Sequence, residues 1–238
     1  MNAFLYGIFI HWKQDIRNRN VFLTYYVIPI IFFGFMGVIF TSINPEAKDT
    51  LIQSMTVFAI TMGTLLGAPT SLIELYSDDI TKAFKVGGIP LWMPVVNNFI
   101  SGFIHLSVVS LIIFMSAPII FDAKVPSHIF VYFVVMSLFL IVSLFIGSLL
   151  GLYIKSVSKL TMFSQLIFLP SLMLSGIMFP TSMLPNVLEK VGIAFPAKWG
   201  FEMMVTCQFD YLGLSVILSL SVLSFILIKM KLNTIAQV

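Results

Sequence analysis

The sequence predicts an all-α polytopic membrane protein, with six transmembrane helices, an N-terminal interfacial amphipathic helix, a short cytoplasmic helix between spans two and three, and re-entrant outer helices between spans five and six. Three observations predict this. Hydrophobic residues make up 59% of the 238-residue chain and charged residues 10%, against ~45–50% and ~25% in soluble domains. Six stretches are nearly free of charge, and each approaches the ~20 residues a helix needs to cross ~30 Å of hydrocarbon. Runs such as Ile28–Phe33 and Phe139–Ile146 show none of the alternation of an outer-membrane barrel. A water-soluble fold, disorder and a collagen-like chain are excluded. The single cysteine, Cys207, excludes a disulfide framework within the chain.

The first twenty residues are not a cleavable signal, because their basic cluster follows the apolar stretch and no small-residue cleavage site occurs. Phe4, Ile8, Trp12 and Ile16 recur every four residues with Leu5 and Phe9 beside them, while Gly7, His11, Gln14 and Asn18 fall on the other side. This predicts a helix over residues 1–20 lying in the membrane interface, its apolar side in lipid and Lys13, Arg17 and Arg19 toward the head groups. Asp15 falls within the apolar sector, against the pattern.

The spans follow as Phe22–Ile43, Leu51–Ile73, Leu91–Ile113, Ile129–Ile154, Leu160–Met178 and Tyr211–Ile228. The N-terminus, the loops at 74–90 and 155–159 and the C-terminal tail then share one side, with nine of the basic residues against four opposite (Lys48, Lys124, Lys190, Lys198). That asymmetry places both termini in the cytoplasm of a multi-pass cell-membrane protein. The tryptophans and tyrosines fall in end regions or flanks, as interfacial rings do. Gly63 with Gly67 and Gly147 with Gly151 form GxxxG pairs that permit close helix packing without identifying a dimer face. Span five contains Pro170, Ser171, Ser175 and Gly176, which suit a tight or mobile interface.

Between spans two and three, Ser77, Asp78 and Asp79 favour a helix N-terminus, Lys82 and Lys85 its C-terminal half, and Gly87, Gly88 and Pro90 its end. This predicts a helix over 77–86, too short to be stable alone and therefore packed against something. Leu72, Tyr76, Ile80 and Phe84 recur at i+4, giving an apolar stripe that continues from span two into it. The alternative is a charged loop helix resting on the bilayer. Beyond span five, residues 179–210 are too long for a turn and too apolar for full solvation. Pro185–Val191 reads as a short amphipathic helix, and Pro196 precedes a second element holding Trp199, Glu202 and Met203, so the two form a re-entrant outer cap.

No HExxH, GxSxG, CxxC or phosphate-cradling GxxxxGK[ST] occurs, so the chain is not read as an enzyme and binds no cofactor or metal of its own. No Asp, Glu, Lys or Arg lies within the six spans, where an ion-coupled carrier would place one. His105, with Asn97 and Asn98 on the same helix, is the nearest approximation. It either hydrogen-bonds another helix or handles a proton or substrate. Energy for transport would then come from another chain, received at the cytoplasmic loop.

Leu174-Ser-Gly-Ile-Met-Phe-Pro180, followed by Met183-Leu-Pro185, Pro196 and Glu202, is similar to the S-G-x-x-[FY]-P…[ML]-P…P…E signature of ATP-binding-cassette (ABC) type-2 transporter permeases, and Arg17-Asn-Arg19 is similar to their approach to span one. The whole chain resembles the transmembrane subunit of an ABC type-2 exporter. The resemblance makes 77–86 the coupling helix, with Ser77, Asp78, Asp79, Ile80, Lys82 and Phe84 toward the ATPase. The family's acidic-Gly-Thr stretch ahead of this region is replaced here by Ser77-Asp-Asp-Ile-Thr-Lys-Ala-Phe-Lys85. It also implies an interfacial helix acting through Trp12, Lys13, Arg17 and Arg19, and an outer cap at Pro180, Pro185, Pro196, Trp199 and Glu202. Partners implied are two copies of a cytoplasmic ATPase subunit holding ATP and Mg, and a second permease as homodimer or heterodimer, with no nucleic acid. Spans one, two and five of the two permeases would line or seal the path, with Phe22, Tyr25, Tyr26 and Phe32 on span one and Phe168 and Met173 on span five as its lining. Such aromatic walls suit a hydrophobic or amphipathic cargo: a peptide toxin, antimicrobial peptide, lipid-like molecule or drug. An ion-driven carrier or channel using His105, and a non-transporting immunity or scaffold protein, are the competing classes.

Overall fold

The computed structural model describes residues 3–178 and 181–237, and all regular structure among them is helical. Helix α1 is Ala3–Arg17. The chain breaks at Asn18, whose Oδ1 accepts the amides of Asn20 (3.1 Å) and Val21 (3.5 Å) and so starts α2, Arg19–Ile43. A 3-10 turn, Pro45–Asp49, leads to α3, Leu51–Leu75. Both α2 and α3 widen into one π-helical turn, Leu23–Val27 and Gly63–Gly67, two residues ahead of Pro29 and Pro69. Proline gives no N–H to the carbonyl four residues back and crowds it, so one wider turn absorbs the mismatch.

After α4 (Asp78–Val86) come α5 (Trp92–Phe121), ended by Asp122 at φ 51°, and α6 (Ile129–Tyr153). Helix α7 is Val157–Met173, followed by a turn through Gly176 at φ 89°, a conformation glycine adopts without strain. Helices α8 (Asn186–Gly192) and α9 (Pro196–Thr206) precede α10, Tyr211–Gln237.

Helix α3 is the axis of the fold. Of its most apolar 18-residue window 94% is buried, against 17% for α2 at the periphery. Helices α2, α5, α6, α7 and α9 pack on α3, α10 packs on α6 and α9, and α1 lies on α5. Contact with α6 is backbone to backbone: a β-carbon at Gly147 would fall 2.0 Å from the Thr64 carbonyl oxygen, and one at Gly151 2.8 Å from that of Pro69. Gly63 and Gly67 receive the Tyr25 ring in the same way, a β-carbon at Gly67 falling 2.7 Å from Tyr25 Cε1. Both GxxxG pairs thus serve packing within the chain.

Loops at one end are tied by Lys48–Asp122 (3.5 Å) and Lys124–Asp49 (2.8 Å). At the other end, Lys155 approaches Asp78 (3.7 Å) and Lys85 Nζ donates to the Ala236 carbonyl (3.4 Å). Exposed pairs of this kind add little stability. They do show which loops share an end, and the grouping is the one the charge count requires.

Several expected bounds change. Among the described residues five helices are long and apolar enough to cross a membrane by length and composition, and α7 is a shorter apolar helix. The fifth expected span, 160–178, is the 17-residue α7, about 25 Å long at 1.5 Å per residue, because the chain turns from Leu174 onward. Helix α5 continues to Phe121, past the expected end at Ile113, and α10 continues to Gln237, past Ile228, so the C-terminal tail with Lys229 and Lys231 is helical. Tyr25 and Tyr132 are wholly buried instead of interfacial, and the Tyr132 hydroxyl meets Thr56 Oγ1 at 2.8 Å.

Candidate functional site

Helix α4 begins where expected. Ser77 has the extended backbone of an N-cap, Asp78 and Asp79 occupy the first turn and Lys85 the last, an order that complements the helix dipole. The Ser77 side chain makes no capping hydrogen bond. None of the nine residues is buried, and Ile80 and Val86 are exposed. Within this chain the helix therefore lacks the packing that its length requires. The expected Leu72–Tyr76–Ile80–Phe84 stripe is also interrupted. The break at Tyr76 and Ser77 re-phases the helix, leaving Leu72 buried, Tyr76 and Phe84 half-buried, and Ile80 outward. The Tyr76 hydroxyl donates to the Leu91 carbonyl and closes the loop on itself. Asp79 and Lys82 are exposed, while Asp78 lies by Lys155.

Helix α1 keeps Leu5, Phe9 and Ile16 of its expected lipid side outward and His11 of the opposite side inward, but Trp12 and Asp15 turn toward the protein. Its protein-facing side contains His11 and Asp15, both buried, and Gly7, packed close to Asn97. Leu5, Tyr6, Phe9, Ile10 and Ile16 are exposed, with Lys13, Arg17 and Arg19 also outward. Trp12 is not a lipid-facing ring: it stacks on His105 (centroids 5.8 Å, interplanar 5°). Asp15 is the residue that sequence reasoning missed. Ser101 Oγ donates to its Oδ2 at 2.6 Å and Ser71 Oγ to its Oδ1 at 3.3 Å, binding α1 to α5 and α3 together. His11 Nε2 lies 3.7 Å and His105 Nε2 4.0 Å from Oδ2. His11 Nε2 also donates to Asn98 Oδ1 (3.1 Å), and Asn98 Nδ2 donates to the Ala68 carbonyl (3.3 Å). On the far side, His105 Nδ1 meets the Tyr26 hydroxyl (2.7 Å) and its ring stacks on Tyr25 (5.5 Å).

A buried carboxylate is retained where it is hydrogen-bonded and faces positive or polar partners, and Asp15 has both. The cluster joins α1, α2, α3 and α5 at the α4 end of the molecule. Among the described residues no group of three or more His, Cys, Asp or Glu side chains is placed to hold a metal ion. The chemistry available is hydrogen bonding.

The six aromatic and apolar residues expected along a path do not share one surface. Tyr25 is buried against Gly63 and Gly67 and Tyr26 is half-buried, while Phe22 and Met173 are exposed. Phe32 and Phe168 are joined through Phe58 of α3: Phe32 stacks on it at 3.7 Å and Phe168 meets it edge-on at 5.9 Å. This row crosses spans one, two and five inside the chain.

At the opposite end, Pro185 caps α8 and Pro196 occupies its first-turn position in α9. Pro180 lies outside the described residues. The α8 side chains Val187, Leu188 and Val191 are exposed, so its apolar face is turned away from the protein. Helix α9 is packed inward through Trp199, whose Nε1–H donates to the Ile193 carbonyl (2.8 Å), and through Gly200 against Phe139. Lys198 is buried, 5.5 Å over the Trp199 ring and 3.9 Å from Glu202. Burial holds the Glu202 carboxyl above the usual range, Lys198 opposing and Asp210 and Glu189 adding to the shift. Cys207 is a buried free thiol at the end of α9.

No curated protein sequence matches the chain. The family profile of the ABC-2 type transporter matches residues 4–209, from the first turn of α1 through α9. The chain therefore belongs to the ABC-2 type transporter family, as a multi-pass membrane permease subunit of an ABC transporter.

Proposed function

We propose that the chain is the membrane half of an ATP-driven exporter, paired with a second permease and powered by two cytoplasmic ATPase subunits that hold ATP and Mg. The observation that carries this is α4, a short helix with acidic first turn and basic last turn that stands exposed between the two central spans. The ATPase subunits dock there, and their closure moves α3, the axis on which α2, α5, α6, α7 and α9 pack. Helix α1 acts as the second lever, since Asp15 ties it to α3 and α5 at that same end. The α4 end is cytoplasmic by the excess of basic residues, which also sets both termini inside a bacterial plasma membrane. Helix α7 and the turns after it make the sixth crossing, with α8 and α9 forming the outer cap. The exposed apolar residues of α2 and α7, with the Phe32–Phe58–Phe168 row behind them, favour a hydrophobic or amphipathic cargo: a peptide toxin, antimicrobial peptide, lipid-like molecule or drug.

The test is to solubilise the protein gently from its native membrane, pull it down and identify its companions by mass spectrometry, with Asp78/Asp79 charge reversal as control. A stoichiometric chain carrying GxxxxGK[ST], lost in the control, is the expected result. No ATPase after cross-linking would overturn the proposal. One observation favours a second reading: His105, with no acidic neighbour within its own span, acquires Asp15 at 4.0 Å, as a proton-coupled carrier would require. A His105→Leu variant separates the two, because a carrier loses its pH dependence and an ATP-driven exporter keeps transporting.

A further inference from the structure

Between the start of α5, the middle of α6 and the end of α10 lies a cleft of about 630 Å³. Its walls are Trp92, Phe99, Phe145, Phe225, Asn233 and aliphatic side chains, and among the described residues Lys229 is its one charged lining residue. From Phe225 to Ala236 the cleft follows α10 for about 16 Å at 1.5 Å per residue, which is half of a ~30 Å hydrocarbon core. An acyl chain in one leaflet has that reach. At the open end Lys85 of α4 donates to the carbonyl of Ala236, itself a lining residue, so a second ammonium stands beside the mouth. Lys231, two residues beyond Lys229, is occupied over the Tyr153 ring at 4.9 Å, and the nearby Asp78 faces Lys155. Trp92 sits at the same level, as an interfacial ring does.

We propose that this cleft is a binding site for an anionic phospholipid, one acyl chain between α5 and α10 and the head-group phosphate between Lys229 and Lys85. The site rests on the reading that the α4 end is cytoplasmic, where the leaflet carries anionic lipid. The bound head group ties α4 to the end of α10, so the helix that receives the ATPase is anchored through a lipid as well as through the chain. Two lysines near the surface give on the order of a 30-fold preference over a zwitterionic lipid, about fivefold each.

The full chain, with Trp12→Phe and Trp199→Phe leaving Trp92 as the sole tryptophan, excited selectively, is placed in phosphatidylcholine nanodiscs containing a small fraction of brominated-chain phosphatidylglycerol or brominated phosphatidylcholine. The expected result is much stronger quenching of Trp92 by the brominated phosphatidylglycerol, abolished by Lys85→Gln/Lys229→Gln. Native mass spectrometry of the unmodified chain, showing phosphatidylglycerol retained over phosphatidylcholine, checks the result without the tryptophan substitutions. A Val95→Trp variant, which fills the cleft and keeps both lysines, is expected to lose that retention. Equal quenching by both lipids, or a preference that survives the double lysine variant, would overturn the site. Pulling down the ATPase from the same preparation separates the two proposals, since retained ATPase with equal quenching removes the lipid site alone.

Discussion

Replacing Asp15 by alanine tests whether α1 is a lever held by one carboxylate or a helix held by lipid. The side chain accepts two hydrogen bonds, from Ser101 at 2.6 Å and Ser71 at 3.3 Å. A bond to a charged acceptor contributes about 1.5–3 kcal/mol, and the longer one belongs at the lower end. The gross loss is then about 3–4 kcal/mol, from which the recovered desolvation of a buried carboxylate subtracts about a third. A net cost of about 2–3 kcal/mol shifts the docking of α1 by roughly 30- to 150-fold. Hydrogen exchange read by mass spectrometry on the peptide covering residues 3–17 measures this directly, with the peptide covering α9 as an internal control. Faster exchange confined to α1 is expected, and Asp15→Asn, which keeps the volume and part of the bonding, falls between. Exchange at the wild-type rate in Asp15→Ala would refute the reasoning, and leave α1 held by His11 on Asn98, Trp12 on His105 and Phe4 near Trp92.

Gly147→Ala drives a β-carbon to 2.0 Å from the Thr64 carbonyl oxygen, and a loss of about 3 kcal/mol or a failure to assemble is expected in thermal unfolding. Gly34→Ala, with nothing within 4 Å, serves as the neutral control. Because burial raises the Glu202 carboxyl above its ordinary 4.5, the fold favours the neutral acid. Stability is therefore full below that ordinary value and falls as pH rises through the folded one. Glu202→Gln should unfold with the wild type at low pH and above it at pH 7, and a variant that is less stable at pH 7 would contradict the sign. Phe32→Ala and Phe168→Ala, each removing one neighbour of Phe58, should slow transport of an amphipathic peptide by proteoliposomes; wild-type rates in assembled variants would end the aromatic-row reading.

What the sequence makes legible here is whatever depends on local pattern. The five long spans are uncharged runs bounded by charge, and α4 falls within one residue of its expected 77–86 because its caps, charges and glycines are adjacent in the chain. Boundaries inside apolar runs were not legible. No residue near Ile113 or Ile228 tells an extending helix to stop, whereas Gly176 at φ 89° ends the α7 region by a backbone conformation that residue type permits without announcing. The π turns ahead of Pro29 and Pro69 carry a signal, the proline, which reads equally as a kink.

Leu5, Phe9 and Ile16 of α1 face outward as expected, and the inward turn of Asp15 and Trp12 has a physical cause that applies to every helix at a membrane surface. In water an apolar stripe identifies the protein-facing side, because only the protein removes it from solvent. At a bilayer the lipid does this equally well, so the apolar side of α1 (Leu5, Phe9, Ile16) can turn outward and the polar residues opposite must find partners in the protein. His11 finds Asn98, and Asp15 finds Ser71 and Ser101. The misplaced carboxylate in the apolar sector was therefore the informative residue. A buried charge on an interfacial helix is costly unless partners wait for it. The polar residues of α5, Asn97, Asn98, Ser101 and His105, lie along one side of the span, and all four meet α1 residues there. An uncharged span bearing such a polar side, paired with a surface helix bearing one carboxylate, is a docking pattern that neither segment reveals alone.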